Sequence, residues 1–405
     1  MTSSLREVPL ETTLSRARKL AAEIGITRVT DTTWLDYIGI PVYSSIRPGA
    51  AAGSLCVNAG KGVRPLEAKV GAYMEAIEFA MAEHRTGTVK TFVSTPREVV
   101  DQEHVSFSFV DLCPLLGNEV DPDGPLSCVE AEEVFTGHRV ALPAELVFSP
   151  YPENPAQRIF GTSTNGLCSG NSVDEATVHG IAEVLERDVN AFNFIRDDSL
   201  FVELDEPNDD VENLLTKIAA AGLQGVVRYT PSAFGLPHFQ GFILEPNDDA
   251  PIAIAHGSGL HPLRDIATVR ALSEAAQSRL SYIHGGRDDL IERFRYFSQL
   301  DGQIEIQAAG QLRRRVTDTS RTIKYSEIPT GPEDITDLPG ALSHLADALR
   351  GQGIDQVFRV VLSSPDMDLA VVKVVVPKLE SFEPELRRVG PRLARHLKTR
   401  EAARV

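Results

Sequence analysis

The sequence has 405 residues, a formal net charge of -17 and 42% hydrophobic residues, a composition typical of a globular chain. The acidic balance and the lack of a basic run argue against a nucleic-acid partner. No apolar run approaches the ~18 residues of a membrane span, and the N-terminus lacks a signal-peptide core, so we expect a cytoplasmic protein with no membrane partner. Four cysteines without CxxC spacing are predicted to be free thiols: Cys56, Cys113, Cys128 and Cys168.

The first part of the chain is predicted to alternate helices with short strands. The predicted elements are a helix over 10–24 ended by Gly25, strands within 26–33 and 39–48, a strand over 54–58 followed by an Ala59-Gly60-Lys61-Gly62 turn, and a helix over 64–84. The buried stripe of that last helix is predicted to be Leu66, Val70, Met74, Ile77 and Met81. Residues 87–160 contain many Pro, Gly and short β-like runs, which indicates an irregular β-rich insertion.

The second part is predicted to contain two long helices and several strands. The predicted elements are a helix from Asn171 to Phe194, a helix over 208–221, paired strands in 225–232 and 238–246, a strand and turn in 251–262, a helix from Leu263 to His284, a mobile loop over 317–334, a helix from Leu338 to Arg350, and strands in 357–364 and 369–377. Mixed strand runs broken by long helices favour an α+β fold. We predict a single domain over 1–405, in which 338–405 is a C-terminal helix-strand-strand segment.

The 171–194 helix has two contrasting faces. Its apolar stripe is Val178, Ile181, Leu185, Val189 and Phe192. At ~100° per residue, Glu175, Glu183 and Glu186 lie within ~80° of one another and away from that stripe. Asn171 and Arg187 are spaced helically with these acids. The alternative to a binding face is a solvated acidic surface with a Glu183–Arg187 pair.

Two other helices carry similar polar stripes. Glu75 and Glu78 are three residues apart on the 64–84 helix. Arg270, Glu274 and Gln277 share one side of the 263–284 helix, whose buried stripe is predicted to be Ile266, Val269, Ala276, Leu280 and Ile283. If the six carboxylates converged, they would need divalent cations to stay ionised, and oxygen ligands favour Mg²⁺ accompanied by substrate phosphates. Arg187 and Arg270 would then suit phosphate oxygens.

Familiar phosphate motifs are absent from the sequence. Ala59-Gly60-Lys61-Gly62 is not a P-loop, and no GxGxxG opens a βαβ unit. A lone Gly-Lys-Gly turn is more often only a turn.

Several spaced motifs together resemble the YcaO family of ATP-dependent enzymes that activate peptide backbone amides. These motifs are Asn58-Ala59-Gly60-Lys61-Gly62 before Met74-Glu75-Ala76-Ile77-Glu78, Thr164-Asn165-Gly166-Leu167 through Glu175-Ala176 to Glu183-Val184-Leu185-Glu186-Arg187-Asp188, Arg270-Ala271-Leu272-Ser273-Glu274-Ala275-Ala276-Gln277-Ser278-Arg279, and Val371-Val372-Lys373-Val374-Val375-Val376-Pro377. The resemblance implies a YcaO-type fold, with mixed and mainly antiparallel sheets packed with long helices that line a nucleotide site. It implies ATP and Mg²⁺ as cofactors, and a homodimer.

The resemblance also implies roles for individual residues, although no catalytic base can be named. The implied metal ligands are Glu75, Glu78, Glu175, Glu183, Glu186 and Glu274. The implied nucleotide contacts are Arg6 and Thr13 on the first helix, Asn171, Glu175, Glu183, Glu186, Arg187, Arg270 and Glu274. Three positions depart from the family pattern: Gly71, Phe79 and Cys168. His179, near the acidic face, is a candidate for proton transfer.

In the family's chemistry, the amide oxygen takes the γ-phosphoryl group of ATP, and a nucleophile then displaces phosphate. We favour sulfide, which gives a thioamide in a ribosomally made peptide or protein, because residues 11–31 resemble members that work with a TfuA-like sulfur-delivery partner. The chain's end also lacks the Pro-rich tail of azoline-forming members, which likewise favours sulfide. No separate leader-binding domain is evident, so a partner protein is expected to deliver the peptide. The alternatives are cyclodehydration of Cys, Ser or Thr to azolines, amidine formation, and a peptide-binding scaffold without turnover.

Overall fold

The computed structural model describes residues 5–84, 89–151, 158–288, 290, 302–332, 335, 337–384 and 386–402. Its helices are α1 Leu10–Ala21, α2 Pro65–Ala82, α3 Pro96–Val100, α4 Val173–Ile195, α5 Asp209–Ala220, α6 Arg264–His284, α7 Gly302–Val316, α8 Leu338–Arg350 and α9 Pro391–Ala402. Its strands are β1 Arg28–Asp31, β2 Val42–Ile46, β3 Val57–Lys61, β4 Thr91–Ser94, β5 Leu126–Glu133, β6 Arg139–Pro143, β7 Leu167–Gly170, β8 Leu200–Glu203, β9 Gln224–Tyr229, β10 His238–Leu244, β11 Ile254–Leu260, β12 Thr322–Lys324, β13 Phe358–Val361 and β14 Ala370–Val375. The predicted α+β class is confirmed.

The chain divides into two compact units. The first takes in the residues up to Ala50, Leu55–Ile77 and Asp198–His344, and the second takes in Ala51–Ser54, Glu78–Asp197 and the residues from Leu345 onward. The prediction of a single domain stays a prediction.

The first unit contains two sheets. Strands β1, β2 and β3 form an antiparallel sheet, and the second sheet has the order β11-β10-β9-β8-β12, in which only β12 runs parallel to its neighbour β8. Helices α5 and α6 pack on one face of the five-stranded sheet, where their apolar residues share a core with Phe239 and Ile243. Phe242 and Val226 point to the other face and pack with Leu312 and Val316 of α7.

The second unit is built on one antiparallel sheet of order β4-β5-β13-β14-β7, with β6 paired to the other edge of β5. Strands β4, β5 and β6 lie in the predicted 87–160 insertion, so the described part of that segment contributes to this sheet. Helix α4 packs on β7 and β14, the two strands at one end of the sheet. Four residues of its predicted stripe are buried, namely Val178, Ile181, Leu185 and Val189, whereas the fifth, Phe192, is half-buried.

Several sequence predictions differ from the structure. The strand predicted at 54–58 is Val57–Lys61, so Gly60 and Lys61 belong to a strand rather than to a turn. The predicted loop over 317–334 contains strand β12, and its residues 333–334 lie outside the described residues. Helices α7 and α9 were not predicted, and Ile283, placed in the buried stripe of α6, is 37% exposed because the helix ends one residue later.

In the described part of the chain, no helix is long and apolar enough to cross a membrane. None of the four cysteines is joined in a disulfide, as predicted.

Candidate nucleotide and magnesium site

In the first unit, glycines let helix α6 lie directly on the backbone of strand β11. A Cβ atom on Gly257 would be 2.4 Å from the Ala275 nitrogen, and one on Gly259 would be 2.2 Å from the Ala267 oxygen, distances that no side chain tolerates. This close approach brings the Glu274 carboxylate to the strand, where Oε1 accepts a hydrogen bond from the Ser258 N–H at 3.3 Å. Helix α6 and strand β11 therefore fix the position from which the Glu274 side chain extends.

A second close approach joins β3 to α2. A Cβ atom on Gly60 would be 2.0 Å from the Ala72 nitrogen, so β3 touches the helix backbone. Next to it, the Ala59 N–H donates to Glu75 Oε2 at 2.6 Å, and the Ala59 oxygen accepts from Gln277 Nε2 at 2.7 Å. Strand β3 is thus tied to both α2 and α6, and Glu75 is held by a backbone donor.

Lys61, at the end of β3, forms an ion pair that the sequence did not predict. Its Nζ lies 2.6 Å from Glu274 Oε2. Burial raises the pKa of Glu75, while Arg287, the Ala59 N–H and Lys61 act to lower it, and Glu274 adds to the rise. The sequence signals this pair only through its Gly-Lys-Gly segment, a pattern that by itself predicts a simple turn.

The remaining predicted residues of the first unit are Arg270, Arg6 and Thr13. Arg270 Nε is buried and is among the atoms of the described residues without a hydrogen-bond partner. Arg6 is half-buried and precedes α1, which begins at Leu10, so its placement on the first helix was wrong. Thr13 lies on α1 and is fully buried, with Oγ1 3.5 Å from the Pro9 oxygen.

In the second unit, the first turn of α4 holds Glu175. Ser172 caps the helix by accepting from the Glu175 N–H at 3.1 Å, and the Glu175 side chain is 0% exposed. Asn171 Nδ2 lies 3.2 Å from each carboxylate oxygen of Glu175. Asn171 therefore positions Glu175 in this structure.

Glu183 lies two turns further along α4, beside β7 and β14. Its Oε1 accepts from the Gly166 N–H at 3.1 Å, and its Oε2 is 3.7 Å from Cys168 Sγ. Lys373 on β14 is 2% exposed and donates to the Ser163 oxygen at 2.5 Å. Burial lowers the pKa of Lys373 to about 7, and Glu183 partly opposes this shift. A lone lysine within the apolar 369–377 run was the signal for this buried amine.

Glu78 and Glu186 complete the acidic residues of the second unit. Glu78 Oε1 accepts from both the N–H and the Oγ of Ser169, at 2.9 and 2.6 Å. Glu186 is 6% exposed, whereas Arg187 is exposed with Nη1 3.7 Å from Glu383 Oε1. Because Glu175 and Glu186 are buried, the alternative of a solvated acidic face is wrong for these two residues.

The predicted carboxylates thus form two sets, one in each unit. Within the described ranges, no three His, Cys, Asp or Glu side chains are gathered as a formed metal centre. The convergence of all six carboxylates in one pocket stays a prediction. Their chemistry nevertheless fits the cofactors, because oxygen donors suit Mg²⁺ and the orphaned Arg270 Nε suits a phosphate oxygen.

Comparisons with known proteins agree with this chemistry. The family model described as YcaO cyclodehydratase, ATP- and Mg²⁺-binding, matches residues 59–380. That description confirms the predicted cofactors.

Two relatives match nearly the whole chain. A protein of Methanothermobacter thermautotrophicus (strain Delta H), named only as uncharacterized, is 34% identical over 390 residues, which cover 95% of this chain and 97% of that protein. A protein of Rhizobium leguminosarum bv. trifolii, named as an uncharacterized protein in the tfuA 3′ region, is 30% identical over 391 residues, which cover 93% of this chain and 88% of that protein.

A solved structure shares the fold. The YcaO protein of Methanopyrus kandleri, bound with AMPPCP and Mg²⁺, superposes with a TM-score of 0.72 over 96% of each chain at 22% sequence identity. The match of the family model over most of the sequence, the two relatives and this shared fold lead to one conclusion. The chain belongs to the YcaO family, whose members are ATP-dependent peptide-modifying enzymes.

Proposed function

We propose that this protein uses ATP and Mg²⁺ to convert a backbone amide of a ribosomally made peptide or protein into a thioamide. The observation that carries the choice of sulfide is the 30% identical relative in the tfuA 3′ region, together with the resemblance of residues 11–31 to members that work with TfuA-like partners. We further propose that such a partner delivers sulfur or the peptide, and that the protein is a cytoplasmic homodimer.

In this proposal the acidic residues hold Mg²⁺ and the phosphates of ATP. The proposed metal ligands are Glu75, Glu78, Glu175, Glu183, Glu186 and Glu274. The proposed nucleotide contacts on the phosphate side are Asn171, Arg187 and Arg270, with Arg6 and Thr13 near the N-terminus. Mg²⁺ would offset the phosphate charge and orient the γ-phosphoryl group for transfer.

The chain's own contacts serve this chemistry by holding the carboxylates in fixed orientations. The Ala59 N–H fixes Glu75, the Ser169 N–H and Oγ fix Glu78, and the Gly166 N–H fixes Glu183. Preorganised donors and charges lower the cost of reorganisation during the reaction. Arg270 Nε, buried without a partner among the described residues, is suited to donate to a phosphate oxygen.

The overall reaction balances without a redox partner. The amide oxygen attacks the γ-phosphorus of ATP, ADP leaves, and the amide nitrogen gives up its proton, so that an O-phosphorylated imidate forms. Hydrogen sulfide ion then adds to the imidate carbon, phosphate leaves with the original oxygen, and the proton carried by sulfur returns to nitrogen, which leaves C=S in place of C=O. The products are a thioamide, ADP and phosphate.

Azoline formation is the second candidate, because the matching family model is described as a cyclodehydratase. Here a Cys, Ser or Thr side chain of the substrate attacks the same activated carbon, and the product loses the elements of water.

The two reactions differ in the mass of the product. Purified protein is incubated with MgATP and a peptide digest of its source proteome, with and without sodium sulfide. A sulfide-dependent mass gain that corresponds to exchange of oxygen for sulfur supports thioamidation. ATP-dependent loss of water without sulfide rejects it in favour of azoline formation. Calorimetry that detects no AMPPCP binding in the presence of Mg²⁺ favours the scaffold.

A further inference from the structure

Lys61 brings a positive charge into direct contact with a proposed metal ligand of the first unit. Its Nζ lies 2.6 Å from Glu274 Oε2, and the two side chains are 26% and 34% exposed. The Lys61 charge also acts on Glu75, the other proposed ligand of this unit. The Lys61 ammonium group therefore interacts electrostatically with two carboxylates, Glu274 and Glu75.

The backbone around Lys61 is fixed, so the position of its Cα is set by the fold. Gly60 touches the backbone of α2, and a Cβ atom on Gly62 would be 2.5 Å from Glu67 Cβ. Both polar groups of Ala59 are bonded, one to Glu75 and the other to Gln277. The freedom of Lys61 thus resides in its four-carbon side chain, whose ammonium group can rotate between partners.

Divalent metal and ammonium compete for the same carboxylate oxygen. A carboxylate that ligates Mg²⁺ offers its oxygen at ~2.1 Å from the metal, and a second cation at hydrogen-bond distance is repelled. An ammonium released from Glu274 beside a triphosphate would find phosphate oxygens as its strongest acceptors.

We infer that Lys61 is a positioning residue that neutralises Glu274 in the metal-free protein and donates to a phosphate oxygen of ATP when Mg²⁺ occupies Glu274. The inference rests on the proposed function. It assigns opposite effects to one side chain: Lys61 weakens the binding of Mg²⁺ alone and strengthens the binding of the nucleotide.

The test uses the full chain and two calorimetric titrations, one with Mg²⁺ alone and one with AMPPCP at saturating Mg²⁺. In Lys61→Met we expect Mg²⁺ alone to bind about fivefold more tightly, since a partly exposed ion pair contributes up to ~1 kcal/mol. We expect AMPPCP to bind about tenfold more weakly, the effect of losing one charge-assisted hydrogen bond. Lys61→Arg should bind Mg²⁺ alone as the wild type does, and Lys90→Met, on an exposed lysine, should change neither affinity.

A double variant separates competition from misfolding. In Glu274→Gln, adding Lys61→Met should no longer alter the affinity for Mg²⁺, because the carboxylate in competition is gone. If Lys61→Met lowers both affinities, or leaves both unchanged, the inference is overturned while the proposed function stands. Wild-type protein that binds no AMPPCP overturns the proposed function and this inference with it.

Discussion

At the scale of single residues, buried carboxylates depend on donors supplied by their neighbours. Glu175 is fully buried, and Asn171 Nδ2 contacts both of its oxygens. We expect Asn171→Ala to lower the free energy of unfolding by about 1–2 kcal/mol in EDTA, since a buried carboxylate loses a donor. Urea denaturation measures the change. Asn247→Ala, on an exposed asparagine, should stay within about 0.5 kcal/mol of the wild type. Equal stabilities of the two variants would contradict this role for Asn171.

Lys373 predicts a pH dependence of stability. Its pKa is lowered to about 7 by burial in the folded protein, whereas an unfolded lysine titrates near 10.5. Between pH 7 and 10 the unfolded chain binds one more proton at this group than the folded protein does. The group therefore makes the free energy of unfolding rise with pH by at most ~1.4 kcal/mol per pH unit, and this gain is lost as the pH falls to 7. We expect Lys373→Met to remove this contribution in urea denaturation measured in EDTA at several pH values. The same slope in both proteins would mean that Lys373 stays charged when folded.

At the scale of elements, glycine contacts set the distance between strand and helix. A Cβ atom on Gly60 would meet two backbone atoms of α2, the Ala72 nitrogen at 2.0 Å and the Ala68 oxygen at 2.1 Å. Backbone atoms cannot rotate away, so we expect Gly60→Ala to lower the free energy of unfolding by about 3 kcal/mol, at the upper end of overpacking costs. Gly49→Ala is the control, since its Cβ would have nothing within 4 Å, and it should change stability by less than about 1 kcal/mol. A small effect of Gly60→Ala in thermal unfolding would show that β3 can move off α2.

The observed helices and strands also show which sequence patterns are sufficient to predict an element. Helices α4, α6 and α8 were predicted nearly to their ends because their apolar residues repeat with a helical period. Helix α7 was missed because Ile304 and Ile306 alternate as in a strand and Gly310 interrupts the helical pattern. Strand β12 was missed because its pairing partner β8 is distant in sequence, and no local pattern reports such a contact.

The acidic residues were found by spacing, but their contacts were not. A helical period places Glu175 and Glu186 on one face, yet it cannot tell a buried face from a solvated one. The pairing of Lys61 with Glu274 joins β3 to α6 across more than 200 residues of sequence, so only the folded chain reveals it.

At the scale of the whole molecule, the two units are interleaved along the chain. The first unit collects three separate stretches, so no linker separates the units in the sequence and composition alone could not divide them. Each unit contains one set of the proposed carboxylates. The binding of nucleotide and metal is therefore best tested on the full chain.

Linkage between binding and folding provides that test. A ligand that binds only the folded state adds RT ln(1 + [L]/Kd), or ~2.7 kcal/mol at one hundred times Kd. We expect AMPPCP with Mg²⁺ to raise the midpoint of thermal unfolding, and AMPPCP in EDTA to have little effect, because the carboxylates repel an unshielded triphosphate. Glu186→Gln should abolish the ligand-induced shift of the unfolding midpoint. Removal of a buried charge can itself stabilise the ligand-free protein. The shift is therefore measured within each variant, as the difference between its midpoints with and without ligand. Glu206→Gln, on an exposed glutamate, should retain the full shift. An equal shift in Glu186→Gln and Glu206→Gln would remove Glu186 from the site, and a wild-type midpoint insensitive to AMPPCP and Mg²⁺ would contradict nucleotide binding by this chain.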